Sequence, residues 1–268
     1  MKINEKKVNL ILIFSAFCSL VIFLIIIASI FIVLKTNILS SLENKLGVDK
    51  KNIDYENISE LDKKWSEKLL NGGYILHFRH AERDKWIDVQ MYDALESDVH
   101  NKGVNQSRIA EKDYFGDAVC LNERGLIQAK AMGELLKRIN FPVGFVISSP
   151  SCRSRQTADL AFDGYDELNR ILVHEGPYFE KKQERYKKIK NFYLKLPVEK
   201  NKNTIVSSHN SVLRIKIFDE INLNEMDTKN GLKLEEGGFY VISNNNNRLV
   251  LEYEFHNFNK FIKNFFPR

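Results

Sequence analysis

The sequence predicts an α/β domain of three layers, a central mostly parallel sheet flanked by helices, preceded by one N-terminal transmembrane helix. Three observations carry that expectation. Beyond Gly73, short β-prone apolar runs alternate with stretches of helical periodicity, the pattern of strand–helix units that cover a parallel sheet. From Leu10 to Leu34 there is no charged residue. The composition, 44% hydrophobic and 28% charged over 268 residues, is that of an ordinary globular chain and excludes a disordered one.

The elements follow in chain order. Residues 1–9 form a flank carrying Lys2, Lys6 and Lys7, and residues 10–34 form the transmembrane helix. At about 1.5 Å rise per residue such a helix exceeds the roughly 30 Å hydrocarbon core of a bilayer. The alternative is a cleaved signal peptide, whose apolar region normally runs only about 7–15 residues; no clear small-x-small cleavage site follows this one. The run therefore reads as a signal-anchor. Lys35, Lys45, Lys50 and Lys51 on its far side nearly balance the lysines before it, so charge leaves the orientation open.

Residues 35–65 read as a juxtamembrane stalk, and 66–268 as the folded domain. A short helix begins at the end of that stalk. Ser59 can cap it with Asp62 three positions on, Leu61, Trp65, Leu69 and Leu70 recur at helical spacing, and Asn71-Gly72-Gly73 ends it. Tyr74–Phe78 is a strand, Arg124–Ile139 an amphipathic helix, Val143–Ile147 a second strand and Arg155–Leu160 the start of a second helix. Glu184–Leu196 is helical, Thr204–Ser207 a third strand, and Phe239–Ile242 and Leu249–Tyr253 late strands around a turn at Asn244–Asn247.

Charge narrows the partners. The formal net charge is +5, but the lysines are scattered, apart from a cluster at Lys181, Lys182, Lys187, Lys188 and Lys190. That cluster reads as a solvated helix face or as a contact with anionic lipid head groups. With no stripe of basic and aromatic residues, nucleic acid is not an expected partner. Cys18 lies in the apolar run; Cys120 and Cys152 lie outside it, and no CxxC or His-rich spacing suggests a metal site or other cofactor.

The chemistry sits at strand ends. In open α/β sheets, ligands bind outside the carboxyl ends of the strands. The first strand runs into Arg79-His80-Ala81-Glu82, the second into Ser148-Ser149-Pro150-Ser151-Cys152-Arg153, and the third into Ser207-Ser208-His209-Asn210. If these strands are neighbours, two arginines and two histidines converge on one spot suited to a phosphoryl group. A guanidinium pairs bidentately with phosphate oxygens. A neutral imidazole can attack phosphorus through one ring nitrogen. A second histidine held against anionic oxygens is biased towards its charged form and stabilises the transition state.

In order, these blocks resemble the histidine phosphatase superfamily, the group that includes phosphoglycerate mutases and many phosphomonoesterases. The resemblance covers roughly residues 66–255. Arg79-His80-Ala81 looks like its Arg-His-Gly/Ala signature, and Leu121-Asn-Glu-Arg-Gly125 with Gln128-Ala129 like its Leu-Thr-x-x-Gly-x-x-Gln-Ala helix start. Ser149-Pro-Ser-Cys-Arg153-Ser-Arg-Gln-Thr157-Ala158 resembles its Ser-Pro-x-x-Arg-Ala-x-Gln-Thr-Ala block, and Val206-Ser-Ser-His209-Asn210 its second-histidine motif.

The resemblance implies that His80 is the phosphorylated nucleophile and that Arg79, Arg153 and His209 bind phosphate, with no metal. Members with His-Asp at the second histidine use that aspartate as acid; here Asn210 stands there and can only hydrogen-bond the substrate. Glu175 is the first candidate for the missing acid and Glu82 the second. Arg155, two positions past Arg153, is expected to point away as a surface or salt-bridge residue. His77 is expected in the core, and the long segment from Arg83 to Ala118 as a lid or specificity loop, or else a peripheral decoration.

A closer likeness to an often-exported bacterial subset implies a Cys120–Cys152 disulfide and an extracytoplasmic (periplasmic) domain; two buried free thiols are the alternative. The activity expected is a phosphomonoester hydrolase on a phosphorylated small molecule, sugar or lipid-linked substrate, tethered to a membrane through residues 10–34. A phosphomutase, or an inactive membrane-tethered binding protein on the same fold, are the alternatives.

Overall fold

The computed structural model describes residues 58–84, 119–173, 181–222 and 232–266, all within the compact unit Glu56–Arg268. The expected transmembrane helix 10–34, the flank 1–9, most of the stalk, Glu175 and residues 85–118 of the long segment lie outside the described residues. Among the described residues, no helix is long and apolar enough to cross a membrane.

Helix α1 (Glu60–Leu69) starts at a reciprocal capping box: the Asp62 amide donates to the Ser59 hydroxyl and the Ser59 amide to the Asp62 carboxylate. Its buried Trp65 and Leu69 join the core beneath the sheet, so α1 spans the position at which sequence divides stalk from domain. Gly72 then turns the chain with φ +72°; a Cβ there would stand 2.2 Å from the Lys202 amide nitrogen. No other residue fits that turn.

Seven strands appear among the described residues: β1 (Ile75–Arg79), β2 (Val143–Ser148), β3 (Glu167–Leu168), β4 (Asn203–Ser208), β5 (Glu220–Ile221), β6 (Phe239–Asn245) and β7 (Arg248–Phe255). They form one sheet in the order β3-β2-β4-β1-β6-β7-β5. The β3-β2-β4-β1 half is parallel, whereas β6 runs antiparallel to both β1 and β7. The sheet is therefore mixed. The β6–β7 hairpin turns at Asn246 and Asn247, both at positive φ, which asparagine tolerates better than other non-glycine residues.

Alternation along the strands divides the core in two. Leu76, Phe78, Val146, Ile205, Phe239 and Phe255 pack with α1, α2 (Glu123–Arg138), α3 (Cys152–Phe162) and α5 (Phe258–Ile262). Ile75, Ile147, Val206, Tyr240 and Ile242 pack with α4 (Lys182–Lys195). The result is three layers. Lys181, Lys182, Lys187 and Lys188 lie on the exposed side of α4, and Lys190 pairs with Asp219 at 2.5 Å.

Candidate active site

Strands β2, β4 and β1 are adjacent and parallel, so their carboxyl ends lie side by side. The ladder continues one residue beyond each: the His80 amide donates to the Ser208 carbonyl and the Ser149 amide to the Ser207 carbonyl, both at 2.9 Å. His80, the Ser149–Arg153 turn and His209 thus leave the sheet at one point. The His80 and His209 rings stand 5.3 Å apart, edge to face, and an Arg153 terminal nitrogen lies 3.3 Å from His209 Nδ1.

His80 is buried, and its Nδ1 lies 2.7 Å from the Ala81 carbonyl. A carbonyl only accepts, so Nδ1 carries the proton and Nε2 keeps a free lone pair. Burial, followed by the charges of Arg153 and Arg79, holds the pKa well below the usual histidine value. The ring is neutral at physiological pH. The loop behind it is clamped: the Ala81 amide donates to Thr157 Oγ1, which itself donates to the Arg153 carbonyl. Gln128 accepts from the Glu82 amide and donates to the Glu236 carbonyl. Gly125 permits this approach, because a Cβ there would stand 2.0 Å from the Glu82 carbonyl oxygen.

His209 is equally enclosed. Its Nδ1 accepts from Arg153, which leaves Nε2 as the protonated nitrogen, 3.1 Å from the Ser151 hydroxyl and 3.2 Å from that of Ser149. Arg153 is fully buried and also donates to the Val119 carbonyl at 3.3 Å. The neighbouring loop is held to α3 twice more: Cys120 and Cys152 form a disulfide, and the Leu121 amide donates to Gln156.

Arg79 donates to the Leu234 carbonyl at 2.5 Å and to Glu236 at 2.7 Å. Asn210 also turns to Leu234, donating to its carbonyl and accepting from its amide, both at 2.8 Å. Its amide group is thereby bound to main chain. Arg155 differs from expectation. It is 2% exposed and donates to the Pro150 carbonyl, because α3 is enclosed on that side as well. Glu82 lies at the start of α2, 2.5 Å from Arg124 and 3.4 Å from Asn122. Glu236, the serine hydroxyls and Gln128 carried no catalytic reading in sequence; the two serines and Gln128 lie inside the quoted motifs, whereas nothing local marks Glu236.

Residues 77–175 match the family model of the histidine phosphatase superfamily (branch 1). The match begins within β1 and contains His80 and Arg153; His209 lies beyond it. No curated protein matches the chain.

Among solved structures similar to this chain is a phosphoserine phosphatase from Entamoeba histolytica in complex with 3-phosphoglyceric acid. It shows 16% identity and a TM-score of 0.42, over 68% of this chain and 95% of that one. The protein histidine phosphatase SixA complexed with tungstate shows 11% identity and a TM-score of 0.41, over 68% and 95%. The product of open reading frame Rv3214 from Mycobacterium tuberculosis shows 16% identity and a TM-score of 0.39, over 66% and 94%. Likenesses this distant bear on neither substrate nor mechanism.

Proposed function

We propose that this chain is a phosphomonoester hydrolase working through a phosphohistidine on His80. The observation that carries the reading is the pairing of a neutral His80, its Nε2 lone pair free, with Arg79, Arg153 and His209 at the carboxyl ends of adjacent parallel strands. The superfamily match over residues 77–175 supports it. His80 Nε2 attacks phosphorus as the bond to the leaving oxygen breaks, and that oxygen takes up a proton. Water then attacks phosphorus, the P–N bond breaks, and inorganic phosphate leaves with His80 neutral again. Arg79 and Arg153 bind the phosphoryl oxygens through guanidinium donors. An anion that takes up the Arg153 donors frees His209 Nδ1 for a proton, so that His209 becomes the cation stabilising the transition state.

Glu175 remains the proposed acid, since Glu82 is turned to Arg124 and Asn122. The uncharged run at 10–34 supports a single-pass membrane tether, and the Cys120–Cys152 disulfide supports an extracytoplasmic domain acting on a phosphorylated sugar or lipid-linked substrate. Purified protein should release inorganic phosphate from nitrophenyl phosphate, and His80→Ala should not. Glu175→Gln should slow alkyl phosphates far more than nitrophenyl phosphate, whose leaving group needs little protonation. Equal activity in His80→Ala would overturn the reading; transfer to a second substrate without phosphate release would make the protein a mutase.

A further inference from the structure

Three residues before the nucleophile, β1 carries a second histidine that the proposed chemistry does not use. His77 is fully buried, in register with Val206 of β4, between the rings of Tyr193 from α4 and Tyr240 from β6. Its Nε2 lies 3.0 Å from the His209 carbonyl and its Nδ1 2.6 Å from the Tyr193 hydroxyl. The carbonyl can only accept, so Nε2 carries the proton, Nδ1 the lone pair, and Tyr193 must donate. Every donor in this line points one way, from α4 through β1 to the residue after β4.

The need for such a line is local. Strand β4 ends at Ser208, whose carbonyl takes the last ladder bond from the His80 amide. The His209 carbonyl falls one residue past the ladder, in a site where His209 is 1% exposed. A buried carbonyl needs a donor; no strand supplies one there, and the Val212 amide reaches it only at 3.4 Å. His77 supplies the closer donor, at 3.0 Å.

We propose that His77 and Tyr193 are positioning residues for His209, holding its main chain while Arg153, Ser149 and Ser151 hold its ring. The assignment rests on the phosphatase reading of the site and deepens it. The side chain of His77 makes its hydrogen bonds to Tyr193 and to main chain, so it affects the reaction only through where His209 stands. Losing it should therefore lower turnover and transition-state binding, with little change in how substrate is first held.

The test is a double-mutant cycle on the full-length protein. It reads nitrophenyl phosphate kinetics and, by calorimetry, the affinity for orthovanadate, which resembles the phosphoryl transition state. His77→Phe should lower kcat by roughly tenfold to a hundredfold, change KM less than about threefold and weaken vanadate about tenfold. In a His209→Ala background the same change should cost less than about twofold in vanadate affinity, because the residue it positions is gone. His77→Gln keeps an N–H at similar reach and should recover activity to within about threefold. Tyr193→Phe removes one hydroxyl and should show the same pattern more weakly; it carries the test if His77→Phe does not fold. Equal losses in both backgrounds, or a glutamine variant no better than phenylalanine, would overturn the assignment. A parent protein that neither binds vanadate nor turns over would instead overturn the phosphatase reading.

Discussion

Within His80 the two ring nitrogens have different tasks, and the Ala81 carbonyl separates them by holding the Nδ1 proton. Protonating Nε2 would place a third cation beside Arg153 and Arg79 in a site where His80 is only 4% exposed, so the imidazolium is disfavoured. The sign of the pH effect follows. If His80 is the nucleophile as proposed, its lowered pKa keeps it competent below the usual histidine value, so kcat/KM should hold as pH falls through about 6.5 and decline only well below it. A pH–rate profile on nitrophenyl phosphate, corrected for substrate ionisation, checks this; a limb centred near 6.5 contradicts it. Arg153→Met removes a cation that opposes protonation, so a His80 titration followed by NMR should move up. The Asn210 amide, after His209, staples Leu234, whose carbonyl also receives Arg79.

Among the elements, α2 and α3 do the holding. The amino end of α2 approaches the Glu82 carbonyl at Gly125 and clamps the loop with Gln128, while α3 supplies Thr157, Gln156 and Arg153. The Cys120–Cys152 bridge joins the first residue of α3 to the residue after Val119, whose carbonyl receives Arg153. Closing a loop of 32 residues restricts the unfolded chain by about 3–4 kcal/mol. Reduction, or Cys120→Ser, should lower the unfolding free energy by up to that amount and reduce turnover as Arg153 loses its support. Denaturant unfolding with and without reductant, beside the nitrophenyl phosphate assay, measures both. Unchanged stability on reduction would count against the bridge. The helices themselves were legible because their apolar faces recur at the helical period and their caps are local: Ser59 and Asp62 are three residues apart. The two-residue strands Glu167–Leu168 and Glu220–Ile221 were not, being too short for any period to register.

At the scale of the whole molecule, strand order makes the site. Placing β4 between β2 and β1 brings His209 next to both Arg153 and His80, although 56 residues separate it from Arg153. Motif order in the sequence marked these residues as candidates. It could not show His77 beneath His209 or Glu236 beside Arg79, since those contacts join residues 132 and 157 positions apart with no local pattern. The antiparallel β6 was equally hidden, because a strand buried on both faces reads alike in either direction. On the proposed reading His80 is a protected nucleophile, and the most direct measurement is to find the phosphoryl group on it. Full-length protein mixed with nitrophenyl phosphate, quenched in base during turnover and mapped by mass spectrometry, should carry one phosphoryl group on the peptide containing His80 and none in His80→Ala. A phosphoryl group on another residue, or steady turnover in His80→Ala, would contradict the account.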